Sequence, residues 1–295
     1  MVELYHYTTG AGLLGMLKDY DAEKNPNLTI WATHYAYMND PTEFEFGIEI
    51  CLPLIKEIEE EDGVPEDEKI YPILNGTKEL PKYWGILEFK HWEYQGVLNP
   101  CMISFSQAKD SLHMWNMYGQ NGNGLALCFD MDSMRRSKTN YLFDSCVYIG
   151  NDIPNEYKEQ IKQKIRGFYK NKCDLFREMR SSPEMNEKYK IGLTFMVAPF
   201  IYAGVASYLK HEAYKDEQEF RMLVNERANF RFRERNGEII PYREETIPFE
   251  ALQYILIGPT RDFKRTRNSI LLLLGQKGIP WSPDKIIQSN VPYRG

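Results

Sequence analysis

The sequence predicts an α+β fold, read as a single domain over residues 1–295. Helical insertions are expected at about 47–98 and 152–210. Three observations predict this fold. Short segments rich in β-branched and aromatic residues gather toward both ends, and segments of helical period fill the middle. No internal repeat or long biased linker divides the chain. With 295 residues, 43% of them hydrophobic, the chain can bury a substantial core.

The elements follow in order. VELYHYT (2–8) reads as a strand, and Thr8 or Thr9 can cap a helix over GAGLLGMLKD. LTIWATHY (28–35) is a second strand, closed by the turn signal MNDPTEF. GIEICLPLIKEIEEE (47–61) is an amphipathic helix. Residues 62–82, rich in Pro and Glu, read as loop, and YWGILEFKHWEYQGVL as another helix. CMISFS (101–106) is a strand, SLHMWNMYG (111–119) a short helix, and GLALCFDM (124–131) a strand after the turn GQNGNG. YLFDSCVYIG (141–150) alternates as a strand, and a long helix follows at about 155–180. DEQEFRMLV (216–224) is strand-like. RFRERNGEIIPYRE (231–244) carries an Asn-Gly hairpin signal. LQYILIGP is a buried strand, KRTRNSILLLLGQKG a helix ending in Gly, and KIIQSNVPYR closes the chain.

Bulk properties exclude several classes. The net charge of −6 disfavours non-specific binding to a nucleic-acid backbone, which wants a basic footprint. Five cysteines, odd in number and without a CxxC, predict reduced thiols in a cytoplasmic protein. No Cys/His spacing suits zinc, so no metal is expected. The N-terminus runs straight into VELYHYTT, so no signal peptide is expected. IGLTFMVAPFIYAGVASYL (191–209) carries no charge, but its Thr194, Pro199, Tyr202, Gly204 and Ser207 predict a buried helix over a membrane span.

Two glycine motifs are false leads. GAGLLG (10–15) matches GxGxxG, but its helix is barely two turns and the preceding strand is polar at His6 and Thr8. GQNGNG lacks the Lys-Ser/Thr of a phosphate loop. More informative are three polar strands. LYHYTT places His6, Tyr7 and Thr8 in sequence. ISFSQAKDSLHMW puts Ser104 and Ser106 on one strand face, with Trp115 and Tyr118 following. EQEFR puts Glu217 and Glu219 side by side on one strand face, with Arg221 next along it. Each can be an ordinary surface strand satisfied by its neighbours. Together they demand more, because polar residues in mid-strand must find partners. Asn39-Asp40-Pro41 reads as a structural turn beside the cleft, with Glu43 and Asp40 as possible acids.

On LYHYT, IWATHYAYMNDPTEF, SFSQAKDSLHMWNMYG, KHEAYKDEQEFR, ILIGP and the terminal PYR, taken in order, the chain resembles a bacterial family of unknown function over nearly its whole length. The order of those motifs resembles the ADP-ribosyltransferases: a first strand with His or Arg, a middle strand with Ser-x-Ser or Tyr, and a last strand with Glu or Gln, any residue, then the catalytic Glu. Glu217-Gln218-Glu219 fits the last motif, and Ser104-Phe105-Ser106 fits the second except at its centre. His6 with Ser-x-Ser mixes two subgroups, which leaves the target open. The resemblance implies a split, mainly antiparallel β core of the ADP-ribosyltransferase kind, and NAD as substrate. It makes Glu219 the catalytic carboxylate and Glu217 the group that orients or deprotonates the acceptor. His6, Tyr7, Thr8, Ser104, Ser106, Trp115, Tyr118 and Arg221 would line the NAD site. Arg221 either pairs a phosphate or neutralises the glutamates, and the second is the reading taken. The acceptor would be a macromolecule, protein or nucleic acid, or else water in NAD hydrolysis. The expected setting is a bacterial toxin or phage-defence effector. The alternatives are a non-catalytic binding or sensor module on the same fold, and an RNA-modifying enzyme using RFRER and KRTR as basic contacts.

Overall fold

The structure is a computed structural model describing residues 2–40, 42–66, 68–76, 100–138, 141–178, 197, 200–224, 230–235 and 237–293. It is α+β. Strand β1 (Glu3–Thr8) leads to helix α1 (Gly10–Met16), capped by Thr9, whose Oγ1 accepts from Gly12 N. Then come β2 (Asn27–His34), α2 (Glu43–Glu61), α3 (Tyr71–Gly76), β3 (Cys101–Ser106) and α4 (Leu112–Met117). Strand β4 (Leu125–Asp130), α5 (Met131–Ser137), β5 (Leu142–Ser145), β6 (Val147–Ile149) and α6 (Asn155–Glu178) follow. The last part holds β7 (Leu209–His211), β8 (Glu219–Val224), β9 (Arg231–Arg235), β10 (Glu238–Pro248), β11 (Leu252–Ile257), α7 (Phe263–Gln276) and β12 (Ile286–Gln288).

Among the described residues, ten strands make one sheet in the order β12-β11-β4-β1-β3-β2-β10-β9, with β8 pairing β3 and β5 off this path. All pairs but β11–β12 are antiparallel within it. Strand β3 divides the sheet. One edge pairs with β8 along its whole length. The other meets β1 at Tyr5↔Ser106 and β2 at Thr33↔Met102 and His34↔Cys101. Between these contacts β1 and β2 part, with Ser104 at the fork. This opening positions the site.

Strand alternation sorts the core. Leu4 of β1 joins Phe105, Leu127, Phe129 and Ile255 on the face covered by α5 and α7, through Met134, Ile270 and Leu274. Tyr5 and Tyr7 face the other side with Met114 and Trp115 of α4. A separate helical core gathers Ile48, Leu54 and Ile58 of α2, Ile161 and Ile165 of α6, and Leu209 of β7.

Several expectations need correction. The loop expected over 62–82 contains α3, because Glu59 accepts from the Ile70 and Tyr71 amides (2.7 and 3.0 Å) and anchors the helix start. The strand expected over 141–150 is two strands that join different sheets. The GxGxxG helix is seven residues long, and β1 lies between two antiparallel neighbours, which excludes a dinucleotide crossover unit. The helix expected over 83–98 lies outside the described residues, as does most of 191–199. Residues 200–204 are helical, with Ile201 to Ala203 buried in the core. Among the described residues, no helix is long and apolar enough to cross a membrane.

Candidate functional site

A cleft of about 560 Å³ opens where β1 and β2 part. Its walls are β1 (Tyr5 to Thr8), α1 (Ala11, Gly12, Gly15), β2 (Ile30, Trp31, Thr33) and the turn Tyr37 to Asp40. Ser104, Tyr118, Lys210, Tyr214, Glu217 and Glu219 close one end, and Arg233, Glu234 and Arg235 the other. This volume falls within the range of about 300–1,000 Å³ usual for small-molecule sites.

The carboxylate end is a buried charge cluster. Glu219, 5% exposed, receives both prongs of Arg221: Nε donates to Oε1 and Nη2 to Oε2, each at 2.8 Å. Lys210 Nζ donates to Glu219 Oε2 (2.7 Å) and to Glu217 Oε2, and lies 3.6 Å from Glu43 Oε2. Arg221 also pairs Glu43, and its Nη1 donates to the Ser207 carbonyl. Tyr118 OH donates to Glu217 Oε1 at 2.7 Å. Three carboxylates therefore face two cations, one negative charge in excess.

The cluster fixes the ionisation of its members. Burial alone would raise Glu219, but the Arg221 and Lys210 charges outweigh it and hold the carboxyl at about 2. Glu43 goes the other way, because burial outweighs the same two cations. Burial disfavours the Lys210 charge, yet Glu219 and Glu43 overcome this and raise it above the usual lysine range. At neutral pH, Glu219 is a carboxylate and Lys210 an ammonium.

The backbone explains how two neighbouring glutamates converge. They do not share a strand face, as the sequence reading had them. Glu217 ends a 3-10 turn over Glu212–Glu217, and Gln218 sits at φ 43°, in the left-handed region. Strand β8 begins only at Glu219. The kink at Gln218 turns both carboxylates toward one ammonium, which removes their mutual repulsion.

The remaining expected residues divide. His6 lines the cleft, and its Nδ1 donates to the Ser104 carbonyl at 3.1 Å. Burial, and then the Arg233 charge, lower its pKa, so the ring is neutral and Nε2 is an acceptor. Ser104 Oγ is buried on the cleft wall with no hydrogen-bond partner among the described residues. Thr8 and Tyr118 line the cleft as well. Tyr7 borders it, but its phenol is turned away: the OH donates to the Ala108 carbonyl (2.9 Å) and accepts from Ser111 N (3.0 Å). Ser106 is fully buried off the cleft, bonded to the Glu217 carbonyl and the Ala108 amide, so it braces the turn that carries Glu217. Trp115 is a core residue at 0% exposure, edge-on to Tyr7, with Nε1 donating to Asp110. It stacks on no ligand. Arg221, 1% exposed, lies behind Glu219 and reaches no phosphate.

Lys210 and Glu43 are the residues the sequence reading passed over or set aside. Lys210 had a signal, since it is the first charge after nineteen uncharged residues. A lone cation ending such a stretch calls for buried carboxylates. Glu43 was weighed as a possible acid beside Asp40 and set aside in favour of a structural turn. The Asp40 expectation holds in its structural form: Oδ1 accepts from the Thr42 amide and hydroxyl (2.9 and 2.7 Å).

Residues 114–222 match a family described as a protein of unknown function (DUF2971). No curated protein and no solved structure matches the chain. The matched stretch runs from α4 into β8, so it contains Tyr118, Lys210, Glu217, Glu219 and Arg221. His6, Glu43 and Ser104, which complete the cleft, lie N-terminal to it.

Proposed function

We propose that the protein cleaves the nicotinamide–ribose bond of NAD, passing ADP-ribose to a macromolecular acceptor or to water. One observation carries the reading: Glu219, held ionised, shares a cleft with a neutral His6 and a Ser104 hydroxyl that has no partner among the described residues. Breaking the C1′–N bond sends its electron pair to nicotinamide and leaves positive charge on the sugar, as in glycoside cleavage. A preorganised carboxylate stabilises that charge without reorganising at the moment of reaction. Glu219 fits this role, because Oε1 keeps a lone pair beyond the one given to Arg221, while both of those on Oε2 go to Arg221 and Lys210. His6 Nε2 accepts from a ribose hydroxyl. Ser104 Oγ gives the bound molecule a hydrogen bond that the empty protein lacks. Glu217 orients the acceptor and takes its proton, and Tyr118 holds Glu217 in place. NAD is a cytoplasmic substrate, so the reading carries a cytoplasmic location and fits an effector that acts on the cell's own NAD pool or macromolecules.

The test is nicotinamide release from NAD, with and without cell extract as a source of acceptor. Glu219→Gln is expected to lower release by about a hundredfold or more. Because that change also disturbs the buried ion pairs, Ser104→Ala provides a second variant that leaves them intact. It is expected to raise the KM for NAD without unfolding the protein. Intact NAD after prolonged incubation of the wild-type protein under all conditions overturns the proposal.

A further inference from the structure

The far end of the cleft has an electrostatic imbalance of its own. Strand β9 carries Arg231, Arg233 and Arg235 at alternate positions, so their side chains leave one face. Arg231 is paired with Glu244 at 3.1 Å. Arg233 and Arg235 line the cleft, and among the described residues neither has a carboxylate at ion-pair distance. Arg233 Nη2 donates to Thr33 Oγ1 at 2.9 Å, and its guanidinium lies over the rings of Trp31 (5.0 Å) and Tyr242 (5.6 Å). Its Nε is buried without an acceptor among the described residues. Arg235 spends one prong on the Tyr37 carbonyl, 2.9 Å away. The intervening Glu234 also lines the cleft, but its carboxylate is engaged in the hairpin turn, where it accepts from Gly237 N, and is at ion-pair distance from neither arginine.

Burial, and then the charge of Arg235, pull Arg233 below the usual arginine range, so the two guanidiniums feel each other. Two like charges in a partly buried wall are unfavourable until an anion joins them. Their rigid forks of N–H donors match phosphoryl oxygens, and the aromatic rings beneath Arg233 fix its orientation in advance. A single carboxylate would neutralise one arginine, whereas a diphosphate matches the charge of both. We propose that Arg233 and Arg235 form a phosphate subsite that takes the diphosphate of a nucleoside-diphosphate ligand. The inference stands on this arginine wall and not on which bond is broken at the carboxylate end.

Calorimetric titration with ADP and with adenosine at low salt tests it, using wild type, Arg235→Gln and Arg233→Met. Methionine keeps an unbranched chain over Trp31 while removing the charge. Wild type is expected to bind ADP at least about tenfold more tightly than adenosine, with a preference that shrinks as salt rises. Each variant is expected to lose most of that preference. Arg235→Gln removes one of two repelling charges, so the melting temperature of the ligand-free variant should not fall, which separates lost binding from lost folding. Equal affinity for ADP and adenosine, including binding of neither, overturns the proposal. So does an ADP preference that survives in Arg235→Gln. The two readings separate cleanly. A protein that binds ADP through these arginines but leaves NAD intact retains the subsite and loses the cleavage reaction. One that cleaves NAD with an unchanged KM in Arg235→Gln does the reverse.

Discussion

At the scale of single residues, Arg221 decides the charge state of the carboxylate end. It is buried and holds Glu219 and Glu43 at once. Arg221→Met keeps much of the volume but strands two carboxylates, so unfolding in urea should show a loss of about 3–5 kcal/mol. Glu219 also links stability to pH. Its folded value of about 2 lies below its ordinary 4.5, so its contribution is present above pH 4.5 and is lost as pH falls through 2. Taken alone that is about 3 kcal/mol. Glu43, raised by burial, has the opposite sign: its contribution is present at low pH and is lost as pH rises through its folded value. Glu43→Gln removes that share, whose window lies above 4.5, so as pH falls from neutral toward 4.5 wild type should gain stability in urea melts that the variant does not, and below 4.5 the two should lose stability alike. Gln218 is the third such residue. A side chain in the left-handed region costs about 1 kcal/mol, so Gln218→Gly should leave stability unchanged or raise it, and Gln218→Val should lower it. A higher midpoint for the valine variant would refute the strain.

At the scale of elements, helix α2 shows how packing sets the site. Gly47 lies against the turn Ala206–Tyr208, where an added Cβ would come 2.3 Å from the Ala206 carbonyl oxygen. Backbone on both sides leaves nothing flexible to yield. Gly47→Ala should therefore cost about 1–3 kcal/mol and displace Glu43, one turn earlier on the helix, weakening whatever reaction the cleft supports. Gly167 in α6 provides the contrast. A Cβ there meets nothing within 4 Å, so Gly167→Ala should be neutral or stabilising by up to about 1 kcal/mol. Equal effects of the two substitutions in urea melts would show that α2 does not depend on this close approach. Most such elements were legible as periodicity: β1, β2, β4, β11 and α7 lie within a residue or two of their sequence signals. What periodicity hid was the break at Gln218. A left-handed glutamine has no composition signal, and DEQEFRMLV alternates well enough to be read as one strand. Trp115 and Ser106 were misplaced for a different reason. Tryptophan and serine serve core and cleft alike, and only tertiary contacts decide between them: Trp115 packs edge-on to Tyr7, and Ser106 bonds the Glu217 carbonyl and the Ala108 amide.

At the scale of the whole molecule, the charge cluster is also a joint. Leu209, beside Lys210, belongs to the helical core, as does α2, which contributes Glu43. Phe220 and Met222, flanking Arg221, belong to the sheet core. A small apolar patch of Tyr35, Met102, Tyr208 and Leu223 runs alongside. The ion pairs among Glu43, Lys210, Glu217, Glu219 and Arg221 thus tie the two cores together across the floor of the cleft. No local window of sequence shows this, because the partners come from positions 43 to 221 and meet only once both cores exist. Lys210→Met leaves three carboxylates with one guanidinium and loosens the tie. In native-state hydrogen exchange, the amides of α2 and of the first half of α6 should then exchange about tenfold or more faster than those of β1 and β4. In wild type, both sets should open together as denaturant rises. If the Lys210→Met protein still opens as one unit, cooperation between the cores rests on the apolar patch, and the buried charges serve the cleft alone.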